Sequence, residues 1–271
     1  MIAGPVVLVG CGRMGAALLG GWRARGLAGE RIVVVEPDAE AAEAAHRRHG
    51  VAVVTEAGAL SPDLAPAAVV IAVKPQAMEA VIPTYRRFVS EAVLLSIAAG
   101  KTIGYFAGRL GERAAIVRAM PNTPAAIGAG ITVLCANARV SAEQRQTCER
   151  LMAAVGETAW VESEALMDAV TAVSGSGPAY VFLLIECLAR AGVAAGLPEA
   201  LALRLARVTV AGAGKLAVEA GEPPEVLRRN VTSPGGTTEA ALAVLMAADG
   251  LAPLMDRAVA AAAKRSREFA D

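Results

Sequence analysis

Residues Gly10-Cys11-Gly12-Arg13-Met14-Gly15 follow directly on the apolar run Val6-Val7-Leu8-Val9. Three glycines at that spacing, set between a buried strand and the first turn of a helix, leave few folds open. Gly10 serves a tight turn, and Gly12 lets the backbone approach a pyrophosphate. Gly15 lets the helix pack closely on its strand. The helix start then offers unpaired N–H groups and a positive dipole end to phosphates. A glycine turn that binds nothing is the bland alternative, and the flanking pattern argues against it.

That pattern is repeated. Ile32–Val35 is a second strand ending in Glu36, where a ribose hydroxyl is read in dinucleotide-binding sheets. Val51–Val54, Val69–Val73, Val93–Ser96, Ala115–Ala119 and Ile131–Cys135 are further strands, and Met14–Arg25 and Ala39–His49 are helices. Near-continuous apolar strands alternating with helices predict a parallel sheet covered on both faces, an α/β Rossmann-type doubly wound domain over residues 1–161. From Ser163 onward the chain reads as helix, broken at Gly175–Pro178, Gly196–Pro198, Pro223-Pro224 and Pro234–Gly236. Residues 162–271 are therefore expected to form an all-α domain for dimerisation and substrate binding. Several of its helices are apolar around most of their circumference. Burial against a second copy is the outlet, so a homodimer or a higher oligomer of dimers is expected.

Composition excludes other classes. The 271 residues are 55% hydrophobic with zero formal net charge, which offers no field for nucleic acid. The start lacks a basic n-region, and Glu186 and Arg190 interrupt the most apolar stretch, Val181–Leu197, so no membrane span is expected. Cys11, Cys135, Cys148 and Cys187 form no CxxC pair; reduced thiols in a cytoplasmic protein are the simple reading. No metal-ligand set is predicted.

Acid–base equipment is sparse. His46 and His49, the only histidines, lie in an early helix. Lys215 sits within a helix and reads as structural. The conspicuous late run is Asn230-Val231-Thr232-Ser233-Pro234-Gly235-Gly236-Thr237-Thr238-Glu239, rich in hydroxyls and glycines at a helix start. That arrangement suits a carboxylate. Simple capping by Ser233 is the competing reading, although a double glycine does not help a helix. A substrate that carries a carboxylate and accepts hydride at a C=N bond needs no strong enzymatic acid, only a hydroxyl to orient its nitrogen. Two further segments belong at strand ends: Ala72-Val73-Lys74-Pro75, and Met120–Pro124, where Asn122 reads either as a contact to a nicotinamide carboxamide or as a surface turn.

Taken together, Asp168–Tyr180, Asn230–Thr238, Met120–Pro124 and Ala72–Pro75 closely resemble, in order and spacing, the motifs of the pyrroline-5-carboxylate reductases. The resemblance covers essentially the whole chain. It implies reduction of Δ1-pyrroline-5-carboxylate to proline with hydride from NADPH or NADH. It implies that Thr238 hydrogen-bonds the ring nitrogen, and that Ser233, Gly236, Thr237 and Thr238 cradle the carboxylate with Asn230 at the edge. It implies cofactor contacts from Val9, Gly10, Cys11, Gly12, Arg13 and Met14, from Ala72, Val73, Lys74 and Pro75, and from Ile97, Ala98 and Ala99. Three departures stand out. Glu36 replaces a small polar residue with basic neighbours, and Thr55-Glu56-Ala57 replaces an asparagine. A family glutamate has no match at Gly221, which Glu219 and Glu222 flank. A carboxylate at Glu36 accepts from a 2′-OH and repels a 2′-phosphate, which leans toward NADH; Arg47 and Arg48 read as a solvated helix face. Two rival readings remain: a β-hydroxyacid dehydrogenase-like reductase, for which Lys215 is the one candidate lysine, and a non-catalytic NAD(P)-binding protein.

Overall fold

A computed structural model describes residues 2–269. Its sheet has eight strands: β1 (Val6–Val9), β2 (Ile32–Val35), β3 (Ala52–Val54), β4 (Ala68–Ile71), β5 (Val93–Ser96), β6 (Ile116–Met120), β7 (Gly130–Ala136) and β8 (Gly156–Trp160). They lie in the order β3-β2-β1-β4-β5-β6-β7-β8. Successive side chains along a strand point to opposite faces, so Val6 and Leu8 join one core while Val7 and Val9 join another. Helices α1 (Arg13–Ala24), α2 (Ala39–His49) and α5 (Ala142–Ala153) cover the first face with Leu18, Trp22, Ala45, Leu151 and Met152. The second face takes Met78, Tyr85, Phe88 and Phe106 from α3 (Met78–Val81), the tight turns Ile82–Phe88 and α4 (Ile103–Leu110). Burial on both faces is what the doubly wound reading requires. Trp22 is fully covered and its indole N–H donates to the Leu151 carbonyl at 2.8 Å, fixing α1 on α5.

The register aligns the strand ends. Val9 pairs with Val35 on one side and Ile71 on the other, Ile71 with Ser96, and Ser96 with Arg118. The segments after β1, β2, β4, β5 and β6 therefore emerge along one edge. The chain reverses direction of winding beside β1, which is where open sheets of this kind bind ligands.

Two expectations are corrected. The strand read at Ile131–Cys135 runs antiparallel to β6, with Arg118 opposite Cys135 and Met120 opposite Val133. The residues joining β6 to β7 fold into a tight turn at Thr123–Ile127, and so short a link cannot return to the far end of the sheet as a parallel partner demands. β8, parallel to β7, went unread because Gly-Glu-Thr-Ala-Trp carries no apolar run.

The chain divides into two compact units. One runs to Gly175 and takes up the chain again from Ala262; the other is Ser176–Ala261. The sequence pattern predicts the division after residue 161, where the apolar strand runs stop. The first unit extends further because α6 (Met167–Val170) buries Met167 against Val133 and Cys135, and Arg118 pairs with Glu164 at 3.0 Å. The second unit holds α7 (Gly177–Ala194), α8 (Glu199–Glu219), α9 (Pro224–Asn230), α10 (Thr237–Leu245) and the start of α11 (Leu251–Glu268). α7 ends in a Schellman turn: Leu197 N–H bonds Gly192 O at 3.1 Å and Gly196 N–H bonds Val193 O at 2.9 Å, with Gly196 at φ +99°. Pro198 precedes α8 as its N-cap, one position earlier than a first-turn proline. Ala202 and Ala206 are buried within this unit, whereas Phe182, Leu183 and Val208 are 57%, 58% and 66% exposed. By length and composition the helical stretch Glu164–Ala194 is also apolar enough to cross a membrane, although the sequence reading expected no such span.

Candidate active site

The glycine turn is built as its spacing implies. Gly10 adopts φ +88° and its N–H bonds Val35 O at 2.9 Å. A Cβ on Gly15 would overlap the Gly10 carbonyl oxygen, so α1 starts hard against the end of β1. Gly12 is the N-cap of α1 with no side chain capping it, and the space where its Cβ would point is open. Arg13 is exposed and Met14 half-buried on the same first turn. Uncapped helical N–H groups facing open space fit a dinucleotide's phosphates.

Glu36 directly follows β2 and is only 8% exposed. Its carboxylate accepts the Cys11 N–H at 2.6 Å and the Asp38 N–H at 2.9 Å. The charge is thus pinned to the glycine turn, and one N–H of that turn is already taken. Burial, and then the Glu36 charge, push the Cys11 thiol up from its ordinary range, which disfavours the thiolate. Arg47 pairs with Glu43 at 3.5 Å on the outer face of α2. His46 Nδ1 lies 2.9 Å from Val51 O, and burial with Arg48 and Arg23 nearby pushes His49 down.

The other strand-end segments share the edge. Ala72 N–H bonds Val9 O at 2.8 Å, Lys74 is exposed, and Pro75 opens a tight turn. Ile97 N–H bonds Ile71 O at 3.1 Å, Ala98 N–H bonds Ser96 Oγ at 3.3 Å, and Ala99 follows. Asn122 is neither a bare surface turn nor wholly available to a ligand. Its Oδ1 accepts the Ile131 N–H at 3.0 Å and so anchors the start of β7.

The late loop belongs to the second unit. Asn230 ends α9, Gly235 has φ +69°, and Gly236 is the N-cap of α10 with no side-chain cap. Ser233 therefore does not cap the helix; its carbonyl accepts the Gly236 N–H at 3.0 Å. Thr237 and Thr238 form the first turn, Thr237 exposed and Thr238 half-buried. The sequence reading gave Glu239 no role, yet its carboxylate accepts the Gly235 N–H at 2.6 Å. The available signal was its place three residues past the cap, where an acid complements the helix dipole. Lys215 pairs with Glu219 at 3.8 Å along one helix and is 73% exposed, on the solvated side of α8.

Residues 164–269 match the family model for pyrroline-5-carboxylate reductase dimerisation. Residues 5–100 match that for NADP oxidoreductase, coenzyme F420-dependent. The chain is 41% identical over 267 residues to a pyrroline-5-carboxylate reductase of Pseudomonas aeruginosa, covering 98% of this chain and 97% of the relative. The solved pyrroline-5-carboxylate reductase of Coxiella burnetii is similar at a TM-score of 0.93 and 36% identity, covering 99% of each chain. Pyrroline carboxylate reductase of Plasmodium falciparum, solved with NADP bound, is similar at 0.85 and 29% identity over 100% of both. The chain belongs to the pyrroline-5-carboxylate reductase family.

Proposed function

We infer that the chain reduces Δ1-pyrroline-5-carboxylate to proline with NADH or NADPH, and that NADH is its preferred donor. The observation that carries the reaction is the uncapped start of α10, where Gly236, Thr237 and Thr238 follow a glycine in the left-handed region. Backbone N–H groups there, with the Ser233 hydroxyl and Asn230 at the edge, are suited to a substrate carboxylate. Glu239 keeps its own charge on the Gly235 N–H. The Thr238 hydroxyl takes the ring nitrogen and holds the imine in its protonated, hydride-accepting form. Formation of the C–H bond moves the C=N π pair onto nitrogen and yields a secondary amine.

Bound NAD(P)H supplies the hydride. Val9 to Met14 hold its pyrophosphate, Ala72 to Pro75 and Ile97 to Ala99 line it with backbone, and Asn122 sits at the nicotinamide side. Glu36 supports NADH, because a buried carboxylate fixed by two N–H groups leaves a 2′-phosphate beside an unneutralised charge. The apolar faces of α7 and α8 support a homodimer or an assembly of dimers, and free, largely buried thiols suit a cytoplasmic protein.

The test is the disappearance of reduced-nicotinamide absorbance on adding pyrroline-5-carboxylate. Thr238→Ala lowers kcat by roughly a hundredfold and leaves the NADH Kd unchanged. Full activity in that variant would remove the hydroxyl from the mechanism. Glu36→Gln keeps an acceptor for Cys11 while removing the charge, and raises kcat/KM with NADPH about tenfold. An unchanged ratio would remove Glu36 from donor choice.

A further inference from the structure

A helical serine or threonine has a ready acceptor in the carbonyl four residues back. Thr171 uses it, its hydroxyl donating to Met167 O at 2.8 Å, and Thr232 does the same to Arg228 O at 2.6 Å. Ser174 does not. Its hydroxyl oxygen is sealed from solvent and has no hydrogen-bond partner among the described residues. Ser174 lies in a π-helical turn, Thr171–Gly175. A buried hydroxyl left unpaired is unfavourable, and alanine at this position would remove the problem. Turns of this kind recur where a side chain is needed for binding.

The turn has a defined neighbour. Gly175 lies so close to Met120 that a Cβ there would overlap the methionine's terminal methyl. Met120 is the last residue of β6, on the ligand edge of the sheet. Glu36 stands at the end of β2, on the other side of β1 from β4, β5 and β6. A dinucleotide laid across the reversal beside β1 puts its adenosine half toward β2 and its nicotinamide half toward β4–β6. The ring therefore lies on Met120's side.

Resting on the reductase reading above, we propose that the Ser174 hydroxyl is a positioning group for the cofactor, hydrogen-bonding the carboxamide of the nicotinamide ring. A carboxamide offers both a donor and an acceptor, and a hydroxyl satisfies either. Met120 is flexible enough to move aside for the ring. Holding the carboxamide fixes which face of the ring is turned to the imine.

The experiment measures Kd for NADH by fluorescence and for ADP-ribose, which lacks the nicotinamide, by calorimetry. Wild type, Ser174→Ala and Ser174→Thr are compared, with melting temperatures alongside. Ser174→Ala weakens NADH about tenfold, leaves ADP-ribose unchanged and does not lower Tm; Ser174→Thr, which keeps the hydroxyl, retains NADH affinity. Ser174→Cys, similar in size, gives the same split if the alanine variant is poorly behaved. Unchanged NADH binding overturns the proposal. So does equal weakening of both ligands, or an effect confined to the imino-acid KM. If wild type itself fails to oxidise NADH with pyrroline-5-carboxylate, the reductase reading has failed instead.

Discussion

The two compact units use similar apolar residues to opposite ends. In the first, Leu8, Val70 and Leu95 are wholly covered, on a sheet sandwiched by helices. In the second, α7 has no buried residue at all, although it carries Phe182, Leu183, Leu184 and Leu188. A run of valines in a strand finds both of its covers within its own unit. A helix apolar around much of its circumference does not, and its remaining faces stay exposed. The first unit is thus covered by its own chain, and the second leaves much of its apolar surface exposed.

The severest way to break that contrast is to charge the exposed faces. Leu183→Arg combined with Val208→Glu converts the protein to monomers by light scattering and lowers activity roughly a hundredfold. Unchanged size would mean these faces do not assemble the protein. Next in size, Leu95→Ala costs about 3 kcal/mol in denaturant unfolding, and that loss is independent of protein concentration. Leu184→Ala on α7 behaves differently: its loss of Tm grows as the protein is diluted, because it acts through association. A smaller effect is expected at Gly15→Ala, where a methyl group against Gly10 costs about 2 kcal/mol and weakens NADH binding. The smallest concerns acid stability. His49 is pushed below its ordinary range by burial and by Arg48 and Arg23. The unfolded chain takes up its proton first as pH falls, so the stabilising contribution is complete above the ordinary histidine pKa and fades below it. His49→Gln flattens that part of the stability–pH curve, and a curve of unchanged slope would show that the ring's surroundings do not matter.

Much of the first unit was legible because its central strands are buried on both faces and so read as unbroken runs: Val6–Val9, Ile32–Val35 and Val93–Ser96 appear with the same bounds in sequence and structure. Strand direction was not legible. An apolar run looks the same whichever way it is laid, and only the shortness of the link at Thr123–Ile127 decides it. β8 escaped because an edge strand alternating with polar residues carries little signal. At the site, glycine spacing announced the turn, since a Cβ is tolerated or not by local geometry. What Glu36 and Asn122 hold, and that Ser174 holds nothing, depend on partners brought together from elsewhere in the chain.

One feature of the final helix bears on how this protein can be cut and fused. Past Ala262 the backbone rejoins the nucleotide-binding unit: Ser266 Oγ donates to Asp168 Oδ1 at 2.6 Å, and Phe269 abuts Gly100, one residue beyond Ala99. The helical unit is therefore an insert tethered at both ends. A nucleotide-binding fragment stopped at Gly175 would lack a piece of its own wall. A self-sufficient version joins residues 262–269 back through a short linker.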